Sequence, residues 1–154
     1  VKKQFSDFSY VIVGNQTGRH FSEIQKLVDE LGIRDAVHFL QNTSDGELLS
    51  LYDHAELFVL TPVRMGQYVE GFGLVYLEAN AFGKSVIGSR TGGVPEAVID
   101  SETGLLVDEC DVDGIAVAIQ RLMGSADLRK KFGEQGRARV ESAFRWEEQV
   151  KKLL

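Results

Sequence analysis

The sequence predicts an α/β fold: a parallel sheet with helices on both faces. Short apolar, β-branched runs recur along the chain and stop at glycine or proline, as strands buried on both faces do. Between consecutive runs lies a single segment with apolar residues at helical spacing. Strands separated by single helices become parallel neighbours through crossover connections.

The elements follow in order. Ser9 to Gly14 is the first strand, and the polar turn Asn15 to Gly18 leads into a helix with the stripe Phe21, Ile24, Leu27, Val28 and Leu31. Gly32 ends that helix at the usual C-terminal glycine position. Ala36 to Leu40 is the second strand. Thr43 or Ser44 caps the next helix, whose stripe is Leu48, Leu49, Leu51 and Tyr52. Glu56 to Thr61 is the third strand, closed by Pro62. An irregular stretch follows, Val63 to Gly71, and then a helix from Leu74 to Phe82, ended at Gly83.

Ser85 to Ser89 is the fourth strand. Gly92-Gly93-Val94-Pro95 places proline where a short helix starts. Gly104 to Val107 is the fifth strand, and Asp113 to Leu154 reads as helical, with apolar residues at Ile115, Ala118, Ile119 and Leu122, then at Phe132, Val140, Phe144 and Val150. This is a Rossmann-like order, read as one domain over residues 1–154 with a helical C-terminal tail from about 125.

Composition narrows the function. The chain of 154 residues has 44% hydrophobic and 26% charged residues, as a globular protein does. A net charge of −6 argues against nucleic acid as a partner, since its binders display basic surfaces. The basic residues gather late: residues 120–154 hold nine Lys/Arg against five Asp/Glu, the rest eight against eighteen. That tail is either a solvated helical surface or a face toward another domain or an anionic membrane. Cys110 is the only cysteine, which excludes an intrachain disulfide and a cysteine-based zinc set. No apolar run reaches the roughly 18 to 20 residues of a membrane-spanning helix. A cytoplasmic location fits, with peripheral membrane docking as the variant that the basic tail suggests.

In open parallel sheets, ligands bind beyond the carboxyl ends of the strands. The loops to inspect are 14–18, 40–44, 61–73 and 89–95. The Thr61–Gly73 connection is longer than usual for a βα loop, a sign of function or disorder. It ends in Glu70-Gly71-Phe72-Gly73, directly before a helix. Glycines there allow close approach to the backbone, while exposed N–H groups and the helix dipole attract an anion such as phosphate. By themselves, Gly71 and Gly73, like Gly92 and Gly93, also read as tight turns. Glu70 and Glu78 shift the balance. Glu78 falls within the stripe Leu74, Val75, Leu77 and Ala81, where a carboxylate needs hydrogen-bonding partners; sugar hydroxyls would supply them. His20, His38 and His54 read as structural or exposed.

The segment Glu70-Gly71-Phe72-Gly73-Leu74-Val75-Tyr76-Leu77-Glu78-Ala79 resembles the Glu-x7-Glu signature of retaining glycosyltransferases with the GT-B fold, family 4 (group 1), in their C-terminal, donor-binding domain. The likeness extends along the chain, through Val11–Gly14, Val37–Leu40, Leu51–Val59, Gly92–Val98, Thr103–Val107 and Phe144-Arg145-Trp146. It implies that Glu78 holds the ribose hydroxyls of a nucleoside diphosphate sugar and that Glu70 lies by the donor sugar and its leaving phosphate, the catalytic position. The backbone of Gly71, Phe72, Gly73 and Leu74 would line the sugar and diphosphate, and Gly14 would border the donor cleft. The family is usually metal-independent, so neither a metal nor another cofactor is expected.

The resemblance also has gaps. Family members carry a strand, a turn with arginine and a Lys-Gly pair before the strand seen here at 9–14, and those cations grip the diphosphate. Nothing before Ser9 matches them, nor is the family's N-terminal acceptor domain present. The expectation is a first βα unit missing from this chain, weak donor binding and no transfer by this piece alone. Arg64 and Arg90 offer positive charge, with surface solvation the plainer role for each. Two other readings stay open: a non-catalytic nucleotide-binding or scaffolding module, and a nucleotide-sugar epimerase of the same fold.

Overall fold

The computed structural model describes residues 4, 5 and 7–145; the expected Trp146 and Val150 positions lie outside them. The contacts group into two compact units, 1–50 and 51–154. The expected parallel α/β architecture is present, its strands distributed over two sheets.

The first unit holds β1 (Tyr10–Val13), α1 (Arg19–Glu30), a 3-10 turn at Arg34–Ala36 and β2 (Val37–Leu40). β1 and β2 pair in parallel, Tyr10 opposite Val37 and Val13 opposite Leu40. α1 ends as the sequence reading has it. Gly32 takes φ +60°, its N–H bonds to Asp29 O, and the Ile33 N–H reaches back to Val28 O. This paired closure needs a left-handed residue, and glycine adopts that conformation without a Cβ clash. Of the α1 stripe only Val28 is buried; Ile24, Leu27 and Leu31 remain exposed.

The boundary between the units falls within α2 (Asp45–His54). Ser44, one of the two caps expected, closes its N-terminus. Its Oγ donates to Glu47 Oε2 and accepts from the Glu47 N–H, while its own N–H bonds to Glu47 Oε2 at 2.8 Å. Two of the orphan donors at the helix start are thereby satisfied reciprocally.

The second unit continues with β3 (Leu57–Val59), α3 (Leu74–Ala81), β4 (Ser85–Ser89), α4 (Val94–Ala97), β5 (Gly104–Val107), α5 (Val112–Met123) and α6 (Ala126–Ala143). β4 lies between β3 and β5, all parallel. Alternation along the strands sends side chains to opposite faces. Ile87, Leu105 and Val107 pack with Ala118 and Leu122 of α5 and Phe132 of α6. On the other face, Gly88 approaches Val94, Leu106 and Tyr76, and Phe58 meets Tyr76 edge-on. The C-terminal helical stretch divides at Gly124-Ser125, because Ser125 caps a new helix through the Leu128 N–H.

α6 runs antiparallel beside α3. Gly133 touches the backbone of Gly83 and Gly136 touches Asn80; a Cβ at either position would overlap these neighbours. The two glycines let the helix axes approach more closely than side chains allow. Asn80, fully buried, donates its amide to Lys84 O at 2.9 Å, tying α3 to the entry of β4.

The core contribution of α6 is testable. Phe132 is 1% exposed, and Phe132→Ala is expected to cost about 3–5 kcal/mol of unfolding free energy in urea denaturation. Val117→Ala, at a position 61% exposed, should stay within about 0.5 kcal/mol.

Candidate functional site

The carboxyl end of β3 carries the longest connection of the second unit, residues 60–73. It is anchored at its root. The Leu60 N–H bonds to Ile87 O, Tyr76 donates its hydroxyl to Leu60 O at 2.5 Å, and the Ser89 hydroxyl donates to Pro62 O. Further out, Met65 and Tyr68 exchange two backbone hydrogen bonds around a turn with Gly66 at φ +62°. That turn exposes Met65 and Tyr68, the latter by 84%.

The end of the loop, Glu70–Gly73, is shaped by backbone contact with the loop after β4. The Gly93 N–H donates to Glu70 O at 3.1 Å. A Cβ on Gly92 would overlap the Glu70 carbonyl oxygen, and one on Gly93 would overlap that of Gly71. The Gly92-Gly93 pair, open as a simple turn in the sequence, is thus the surface against which the 70–73 segment lies. Gly73 sits at φ +80° with the Tyr76 ring 2.5 Å from any added Cβ, so both its conformation and its surroundings require glycine. Gly71 has no heavy atom within 4 Å of an added Cβ: its open side is free for a ligand.

Aromatic contacts brace the segment from outside. The Phe72 ring lies 5.8 Å from that of Phe144, just past the end of α6. The Arg139 guanidinium stacks over the Phe144 ring at 4.7 Å and donates to Glu96 O at 2.6 Å and Ala97 O at 2.8 Å. Those carbonyls end α4, the helix that starts from Gly92-Gly93. The contacts therefore form a closed circuit from the 70–73 segment through α6 and α4 back to the same segment. Burial lowers the basicity of Arg139, yet it stays a cation at neutral pH.

α3 then begins at Gly73 with no side chain capping its N-terminus. The Tyr76 N–H turns back to Gly73 O at 3.0 Å. The N–H groups ahead of it, those of Leu74 and Val75, come before the first i to i−4 bonds of the helix, where an N–H and the helix dipole together attract an anion. Leu74 is 61% exposed at this end.

Glu78 differs from the sequence expectation. It is exposed, because the buried face of α3 is Tyr76, Leu77, Ala79 and Asn80; Leu74, Glu78 and Ala81, spaced by one and two turns, form the open stripe. No desolvation penalty therefore forces a partner upon it. One partner exists all the same: the Tyr52 hydroxyl donates to Glu78 Oε2 at 2.9 Å. Glu70 is half-buried, and its charge adds to burial in raising the pKa of the Tyr76 phenol. Each carboxylate of the pair thus stands beside a tyrosine of the core.

The remaining candidates fall elsewhere. Gly14 belongs to the first unit, where its N–H bonds to Leu40 O at 3.0 Å. There a cavity of about 140 Å³ is lined by Ile12, Gly14, Asn15, Thr17, Phe21 and Phe39, among others. Arg90 is engaged by Asp100 at 2.7 Å and by Leu106 O, which ties it to β5. Arg64 is exposed, with its backbone N–H on Glu109 Oε2. Sequence reasoning missed Tyr52, Arg139 and Phe144 as site residues: each reads as one position in an apolar or basic stripe, and only packing brings them to the loop.

Residues 1–139 match the family model described as glycosyl transferases group 1. The chain is 35% identical to the GDP-mannose-dependent alpha-(1-6)-phosphatidylinositol monomannoside mannosyltransferase of Mycobacterium tuberculosis, over 99% of this chain and 40% of that protein. It is 37% identical to the D-inositol 3-phosphate glycosyltransferase of Corynebacterium jeikeium, over 93% of this chain and 33% of the other. Among solved structures, sucrose-phosphate synthase from Thermosynechococcus elongatus gives a TM-score of 0.78 at 36% identity, covering 93% of this chain and 37% of that one. The C-terminal domain of a group 1 family glycosyl transferase from Francisella tularensis gives 0.79 at 27% identity, covering 94% of this chain and 74% of that one. The chain spans about 40% or less of the length of the curated relatives it matches.

Two glycine substitutions separate scaffold from open surface. Gly93→Ala must displace the Gly71 carbonyl and should lower the melting temperature by roughly 4 to 8 °C, about 2 kcal/mol of overpacking. Gly71→Ala meets nothing and should melt with the native protein. Thermal melts followed by circular dichroism check both.

Proposed function

The chain belongs to the group 1 glycosyl transferases, and from that footing we propose that it forms the donor-binding part of a retaining enzyme that moves a sugar from a nucleoside diphosphate sugar to a glycan or lipid acceptor. The observation that carries this reading is the arrangement at α3: a glycine segment leading into an uncapped helix N-terminus, with Glu70 before it and Glu78 about one turn along.

In this proposal the N–H groups of Gly71 to Leu74 meet the diphosphate. Glu78 accepts hydrogen bonds from the ribose hydroxyls, and Glu70 stands by the donor sugar. The acceptor hydroxyl attacks the anomeric carbon from the face that the diphosphate leaves. The electron pair of the breaking C–O bond departs with the diphosphate, and fixed N–H dipoles receive that growing charge without reorganising. No enzymic nucleophile takes part. We include metal independence in the proposal, as the family resemblance implies.

Acceptor choice belongs to the whole protein. Among the described residues no helix is long and apolar enough to cross a membrane, and docking of the basic C-terminal stretch beside a membrane is part of this proposal. The alternative reading as a scaffold leaves Glu78 without a task.

The test is a calorimetric titration of the full-length protein with GDP, UDP and ADP, GDP first because several of the relatives are named for GDP-mannose. One nucleotide should bind, and Glu78→Ala should weaken it about tenfold or more, the loss of hydrogen bonds to a charged group. Binding by none of the three overturns the reading. Excess EDTA should leave the affinity unchanged; a loss in EDTA overturns metal independence alone.

A further inference from the structure

The contact between Tyr52 and Glu78 engages the side chain to which the ribose role falls. Tyr52 lies in the last turn of α2 and is 7% exposed. Its ring stacks on Phe82 at 5.7 Å and 23° and tilts against Phe58 at 6.0 Å. Phe58 in turn meets Tyr76 edge-on at 5.7 Å. The ring is therefore fixed from two sides by aromatics that belong to β3 and to the end of α3. Only its hydroxyl reaches the open stripe of α3, where it donates to Glu78 Oε2.

An exposed glutamate on a helix samples several rotamers and loses that freedom when a ligand fixes it. A donor of fixed position removes much of this cost before the ligand arrives. Burial and the neighbouring Glu78 charge raise the Tyr52 pKa, so the phenol keeps its proton and always donates. Each carboxylate oxygen has two acceptor sites. With one site on Oε2 occupied by the tyrosine, Oε1 and the second site on Oε2 remain for two vicinal hydroxyls.

We propose that Tyr52 is a positioning residue of the donor site: its hydroxyl pins Glu78 in the rotamer that receives a vicinal diol, and it thereby sets the preference for ribonucleotides over nucleotides lacking those hydroxyls. The inference rests on the reading of Glu78 as the ribose acceptor and adds the group that orients it. A tyrosine that only fastened α2 to α3 would affect folding and every ligand alike; a positioning tyrosine affects the diol selectively.

The experiment compares the full-length protein with Tyr52→Phe and Glu78→Ala. The probes are the nucleoside diphosphate that binds best among GDP, UDP and ADP, and its 2′,3′-dideoxy form. Dissociation constants come from calorimetry, and unliganded melting temperatures report any loss of fold. Tyr52→Phe keeps the ring and its packing. It should reduce the ribo-over-dideoxy preference about fivefold to tenfold, the net worth of one ordinary intramolecular hydrogen bond, while affinity for the dideoxy form stays as in the native protein. Glu78→Ala should abolish the preference. If Tyr52→Phe weakens both nucleotides by the same factor, or neither, the positioning role is overturned while the ribose reading of Glu78 stands. If Glu78→Ala retains the full preference, the ribose reading fails and the proposal for Tyr52 falls with it.

Discussion

The site depends on one contact between two backbones. Gly93 donates its N–H to the Glu70 carbonyl, and neither Gly92 nor Gly93 can carry a Cβ while Glu70 and Gly71 remain where they are. Everything that follows in the chain inherits this placement. Gly73 turns left-handed beneath it, α3 starts from Gly73, and the direction of α3 sets which stripe of that helix is open. A side chain between the two loops would push the 70–73 segment away from the end of the sheet and rotate the helix entry with it. Close packing transmits such a shift because it leaves no slack.

The two carboxylates are supported differently. Glu70 precedes the helix, and its position is set by its own main chain, held by Gly93. Glu78 sits on a regular helix, where the main chain alone leaves its side chain free; Tyr52 supplies the missing constraint through one hydrogen bond. The tyrosine can do so because Phe58 and Phe82 hold its ring. α6 adds a third support: its glycines at 133 and 136 let it lie against α3, and its C-terminal end brings Phe144 to Phe72 and Arg139 to the carbonyls of α4. A helix that reads as a basic tail thus serves as the outer wall of the loop.

Local chemistry made much of this legible. Ser44 with Glu47 is a reciprocal cap within four residues, and Gly32 and Gly83 take the left-handed turns that end α1 and α3. β4 spans the expected Ser85–Ser89 because its apolar run is bounded by polar residues on both sides. The burial of Glu78 was misread for a physical reason. In a helix of eight residues with apolar side chains on most sides, periodicity does not say which face is covered. The open stripe of Leu74, Glu78 and Ala81 is decided by where β3, β4 and α6 stand. The 3-10 turn at Arg34–Ala36 carries no periodic signal at all.

The sequence by itself determined the order of strands and helices, their parallel sense and the glycine-flanked carboxylate pair, because these rest on residues near one another in the chain: caps, periodicities and fixed spacing. It also carried the family likeness, spread over most of the chain's length. Only the tertiary structure decided that Gly92-Gly93 is the bed of the 70–73 segment, that Tyr52 holds Glu78 across 26 residues, and that Arg139 reaches α4 across more than 40. Contacts of that separation depend on how elements pack. Packing is a property of the assembled core, which no local stretch of sequence encodes.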